Sequence, residues 1–135
     1  MDFNHLEELY HVLTLLNEKQ KDYFISHCKS PGIKIKDQKI SLLIKSSKTS
    51  AELMSSINKE LANSLKEEYE KLQEEISRRR KKGEDMFIEE IKAMAIPAKI
   101  KLFTATANKQ DFYKIKKLLS SMMETLKEKP ITNKK

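Results

Sequence analysis

Residues 49–83 read TSAELMSSINKELANSLKEEYEKLQEEISRRRKKG, and the spacing of their apolar side chains decides the fold. Met54, Ile57, Leu61, Leu65, Tyr69, Leu72 and Ile76 recur every three or four residues. The mean step is about 3.7, the period of a straight α-helix rather than of a left-handed coiled coil. Thr49 and Glu52 have the spacing of a capping box, in which each side chain satisfies a backbone N–H at the helix start. The stretch predicts one long helix over about 50–82, about 50 Å long at ~1.5 Å per residue. That exceeds the needs of a 135-residue chain, so the helix is expected to leave surface for a partner or a second copy.

Downstream, the cationic run before Gly83 reads as a helix stop, since cations complement the C-terminal end of the dipole and Gly accepts positive φ. Phe87, Ile91 and Met94 nevertheless continue the phase of the stripe, Phe87 lying eleven residues beyond Ile76. A bend or break at Gly83 is expected, with a further helix over 85–95. Pro97 ends that helix and suits the first position of a short one over about 98–106. Asn108 caps a last amphipathic helix, about 109–127, carrying Phe112, Ile115, Leu119, Met122 and Leu126 on one side. Pro130 and residues 133–135 read as a frayed tail.

Upstream, Leu6, Leu9, Leu13 and Leu16, with Tyr10 and Val12, predict a helix over 4–16. Asn17 and Gln20 form a capping box for a helix over 18–29, with Tyr23, Phe24 and Cys28 expected inward. Ser30-Pro31-Gly32 ends it. Asp37 is the expected N-cap of a helix near 37–46 that turns Ile40, Leu43 and Ile44 inward. Residues 33–36 alternate but are too few for a strand.

Two glycines and three prolines leave little material for tight turns. The expectation is therefore all-α: a bundle of five to six helices forming a single helical domain over 1–135, with the long helix and the amphipathic C-terminal one as its main members. The single Cys28 cannot form an internal disulfide, which suits a reducing compartment. The N-terminal residues show no secretory pattern and no apolar run approaches the ~20 residues of a membrane span. A cytoplasmic protein without a membrane span is expected.

Charge points to where a partner would sit. The formal net charge is +7 with a pI near 9.4. Three basic zones (31–50, 76–83 and 97–135) alternate with two acidic ones (51–75 and 84–96), the pattern of solvated mixed-charge helices. The chain's three arginines stand together as Arg78, Arg79 and Arg80, followed by Lys81 and Lys82. These five are the candidate contacts for an anionic partner, as charge-assisted donors.

The residues argue against several chemistries. Glu8 and His11 have the Glu-x-x-His spacing used by di-iron bundles, with His5 three residues before Glu8, but no second copy of the motif follows. His27 and Cys28 are neighbours, and adjacent helical side chains diverge by about 100°, out of reach of one another. Two isolated glycines cannot build a phosphate loop. No catalytic residue, cofactor or metal is expected, and a small-molecule substrate is not expected either. The chain reads as a non-enzyme.

One segment carries a resemblance. Residues 40–53, ISLLIKSSKTSAEL, resemble the opening of a winged helix-turn-helix domain: an apolar helix, a short polar turn, then a helix beginning with a capped Ala-Glu-Leu. The resemblance implies a basic DNA-binding protein using residues 37–91. Residues 58–72 would form the recognition helix, and residues 76–91 a basic wing with Arg78–Lys82 and Gly83 at its tip, where arginines contact phosphates. Against it, residues 57–60 lack a turn and the apolar stripe passes through them without a change of phase. The leading expectation is a protein-interaction or oligomerisation module, self-associating through the 50–82 helix. DNA binding is the alternative.

Overall fold

The computed structural model describes residues 6–128. Seven helical segments follow one another: α1 (Leu6–Thr14), α2 (Glu18–Cys28), α3 (Gln38–Ser46), α4 (Ser50–Lys81), α5 (Phe87–Met94), α6 (Ile96–Thr106) and α7 (Lys109–Glu128). Ala95 is both the C-cap of α5 and the N-cap of α6. Those two segments are legs of one bent element, which brings the count of separate helices to six among the described residues. No strand occurs among the described residues, and the fold is all-α with one long helix. His5 and the tail at 130–135 lie outside the described residues.

The chain gathers into two compact units, residues 1–61 and 62–135. In the first, local chemistry sets the helix ends. The Asn17 side chain accepts from the Gln20 N–H at 2.9 Å and the Gln20 side chain accepts from the Asn17 N–H at 3.0 Å, so the capping box is complete. Asp37 accepts from the Ile40 N–H at 3.0 Å and opens α3. At the start of α4 the expected box is displaced by one residue: Thr49 accepts from the Glu52 N–H, but Glu52 reaches back to the N–H of Lys48 at 2.6 Å. Ser50 donates to Glu18 at 3.0 Å, tying the start of α4 to the start of α2. Leu9, Tyr10, Leu13, Ile25, Cys28, Ile40, Ile44, Leu53, Ile57 and Leu61 are buried.

Four inward assignments shift here. Tyr23 is exposed and Phe24 only half-buried, because α2 turns Ile25 and Cys28 inward instead, three residues apart on one face. Leu16 lies beyond the end of α1 and Leu43 on the edge of α3's buried face, and both are half-buried.

In the second unit, Ala62, Leu65, Leu72 and Ile76 of α4 are buried with Ile96, Ile100 and Phe103 of α6 and the full expected set on α7. Phe103 and Phe112 join α6 to α7, their ring centroids 5.4 Å apart at 44°. Asn108 accepts from the Gln110 N–H at 2.8 Å and caps α7 as expected. Pro97 occupies the first turn of α6, where its missing N–H costs no hydrogen bond.

The α4 stripe holds no surplus. Leu53, Ile57, Leu61, Leu65, Leu72 and Ile76 are all buried, with Met54 and Tyr69 half-buried. The stripe expected to serve self-association is thus part of the chain's own core. The winged arrangement is also missing. α4 passes through residues 57–60 without a turn, and no strands flank Gly83 among the described residues.

Candidate interaction surface

The basic run occupies the last turn of α4, where its charges complement the helix's C-terminal end. Gly83, at φ +93°, terminates the helix. Its N–H donates to the Arg80 carbonyl at 3.0 Å, and the Glu84 N–H donates to the Arg79 carbonyl at 3.1 Å. These two bonds make a Schellman motif, which occupies carbonyls the helix would otherwise leave unpaired.

The arginine side chains turn towards carboxylates of the same unit. Arg78 grips Glu75 with two bonds, Nε to Oε1 at 3.0 Å and Nη2 to Oε2 at 2.5 Å. Arg79 is 6% exposed and donates from Nε to Glu75 Oε2 at 3.1 Å, with Nη1 3.8 Å from Glu84 Oε1. The Glu84 side chain is 4% exposed, and its Oε2 has no hydrogen-bond partner. Arg80 Nη1 donates to both oxygens of Glu90 on α5 at 3.3 Å. The Arg78 hydrogen bonds, followed by those from Arg79, hold the Glu75 carboxyl below the usual carboxylate range, and Glu75 in turn raises the Arg78 guanidinium.

The five candidate residues thus separate into two kinds. Arg78, Arg79 and Arg80 are engaged with Glu75, Glu84 and Glu90, and fasten the end of α4 to the turn and to α5. Lys81 and Lys82 stand exposed past them. Glu75 was legible as a partner, because it lies three and four residues before Arg78 and Arg79 on one helix. Glu84 and Glu90 were not, because only the path of the chain around Gly83 brings them back to the arginines.

That same turn decides what α5 shows. Met86 and Ala93 are buried, whereas Phe87, Ile88, Ile91 and Met94 are 63, 57, 51 and 73% exposed. At 3.6 residues per turn, Phe87, Ile91 and Met94 lie within an arc of about 60°, with Ile88 on one flank and Glu90 on the other. Asp85 Oδ1 accepts from the Phe87 N–H at 3.1 Å and sets the start of this face. Sequence phase had aligned these side chains with the buried α4 stripe. The left-handed residue at Gly83 breaks that phase relation and the stripe emerges facing solvent.

Among the described residues, the remaining chemistry-bearing side chains do not converge. Burial pushes the Cys28 thiol up, away from the reactive thiolate, and His27 is exposed on the neighbouring position. Among the described residues no group of three or more His, Cys, Asp or Glu side chains is placed to hold a metal ion. No helix among them is long and apolar enough to cross a membrane. Compared with protein-family models, characterised proteins and solved structures, the chain matches none.

Proposed function

We propose that the chain is a non-catalytic helical interaction module of the cytoplasm, that its contact face is the apolar side of α5, and that the partner is a second copy of itself. The observation that carries this reading is the grouping of Phe87, Ile88, Ile91 and Met94, each more than half exposed, on one eight-residue helix. Single exposed apolar residues are ordinary on a protein surface, but four on one short helix form a patch of the kind that marks contact sites.

Around this face Glu84 lies against Arg79 and Glu90 against Arg80, which leaves the apolar side chains as its distinguishing feature. The arginine run, with its guanidiniums paired internally, supports a positioning role for Arg78–Arg80 more than a phosphate-binding one.

Light scattering across a wide concentration range tests the proposal. Mass should rise with concentration in the native chain, and Ile88→Ser/Ile91→Ser should remain monomeric with an unchanged melting temperature. A native chain that stays monomeric up to millimolar concentration defeats the reading. Tight, steeply salt-dependent binding of duplex DNA, lost on Lys81→Glu/Lys82→Glu, would favour nucleic acid instead.

A further inference from the structure

The apolar stripes of α4 and α5 diverge in space yet are aligned by residue count. Continued as one α-helix, the chain would carry Phe87, Ile91 and Met94 within about 60° of the direction of Ile76. A surface patch unconnected with the α4 stripe has no reason to keep that phase. The two helices are separated only by residues 82–86, which contain no proline. Within them Gly83, at φ +93°, turns the chain.

The turned form carries costs that a continuous helix removes. Phe87, Ile91 and Met94 stay exposed, and Glu84 Oε2 is buried without a hydrogen-bond partner. In a continuous helix Glu84 lies one turn beyond Arg80, the spacing of an ion pair on the helix surface. The Arg80–Glu90 pair is given up in exchange, because ten residues of helix hold its members about 15 Å apart.

Resting on the reading of a second copy as the partner, we infer that two copies associate by exchanging helices. Residues 82–86 become helical, α4 and α5 fuse into one rod, and α5, α6 and α7 of each copy pack on α4 of the other. α6 and α7 travel together and keep their mutual contact of Phe103 with Phe112. Contacts between α7 and α4, such as Lys116 to Glu68 at 3.4 Å, re-form between copies, so little of the closed packing is lost. The fused helices meet near Gly83, and there Phe87, Ile91 and Met94 gain the cover that the closed chain withholds. A side-by-side pair of α5 helices leaves the shared phase of the two stripes without a purpose.

Two measurements on the full chain test the exchange. Gly83→Ala penalises the left-handed turn and favours the fused helix, so by sedimentation equilibrium it should dimerise roughly tenfold or more tightly than the native chain. In the second, equal amounts of native chain and heavy-nitrogen native chain are unfolded in urea and refolded together at high concentration. The dimer is isolated, and a zero-length carbodiimide joins Glu68 to Lys116. Under exchange every such joint links two copies, so about half of the joined peptides should pair one light member with one heavy member.

If the dimer yields no peptide of mixed mass, the exchange is overturned, and a contact made face to face through α5 keeps its place. If mixed peptides form but Gly83→Ala dimerises no more tightly than the native chain, the fusion of α4 with α5 is overturned. If neither chain dimerises up to millimolar concentration, the self-association reading falls as well.

Discussion

α4 and α5 carry apolar stripes of the same period and, by residue count, of the same phase, yet one is buried and the other faces solvent. Leu65, Leu72 and Ile76 on α4 are at most 2% exposed, while Ile91 on α5 is 51% exposed. Five residues around Gly83 separate these outcomes. One left-handed backbone residue turns the chain, and the Arg80–Glu90 pair holds α5 after the turn. The contrast teaches that periodicity identifies an apolar face but does not say which way the face points once the helix is interrupted.

Truncation of equivalent stripe residues should break the comparison most sharply. Leu72→Ala is expected to cost about 2–5 kcal/mol in chemical denaturation, because it removes buried contacts and leaves a cavity. Ile91→Ala should change the same midpoint by under ~0.5 kcal/mol, as for a solvent-facing site. Equal effects at the two positions would show that α5 is packed, not displayed.

The arginine run provides the next contrast. Arg79→Ala leaves the buried Glu84 carboxylate without its cation, and a loss on the order of 3 kcal/mol is expected. Lys82→Ala, at an exposed side chain, should be neutral in the same denaturation experiment. If the arginine were instead held for a ligand, its removal would leave stability unchanged or raise it.

Gly83→Ala should cost about 1–2 kcal/mol. Space is not the reason, since a Cβ built there meets nothing within 4 Å, so the cost arises from the positive φ alone. Asn at this position, which tolerates the left-handed region, should recover part of the loss.

The smallest expected effect is a dependence on pH. The Glu75 carboxyl is depressed below its ordinary value of 4.5, so the folded chain keeps it ionised to lower pH than the unfolded chain does. Its stabilisation is fully present above about pH 4.5 and is lost as pH falls through the depressed native value. Denaturation midpoints measured between about pH 6 and pH 3 should fall less steeply for Glu75→Gln than for the native chain. Parallel slopes would remove Glu75 from the acid transition.

Much of the architecture was legible because it depends on neighbours in the chain. Asn17, Asp37 and Asn108 cap their helices as residue type and spacing foretell, and Phe112, Ile115, Leu119, Met122 and Leu126 all turn inward. Tyr23 misled because an aromatic on a short helix counts as core by composition, although Ile25 and Cys28 already fill the inward face of α2. The contact surface was less legible still. The basic run drew attention as an isolated charge block, while its partners Glu84 and Glu90 lie beyond a turn. The exposure of Phe87 and Met94 depends on a backbone rotation that no spacing rule records.

By itself, the sequence determined that the chain is helical, where its helices begin and end, and which side of α4 and α7 is buried. Those properties follow from interactions between residues within about four positions of one another. Only the tertiary structure decided that Arg79 and Arg80 reach Glu84 and Glu90 and that α5 offers its apolar side to solvent. Those outcomes depend on the direction the chain takes after Gly83, and a single pair of backbone dihedrals there changes the position of everything that follows.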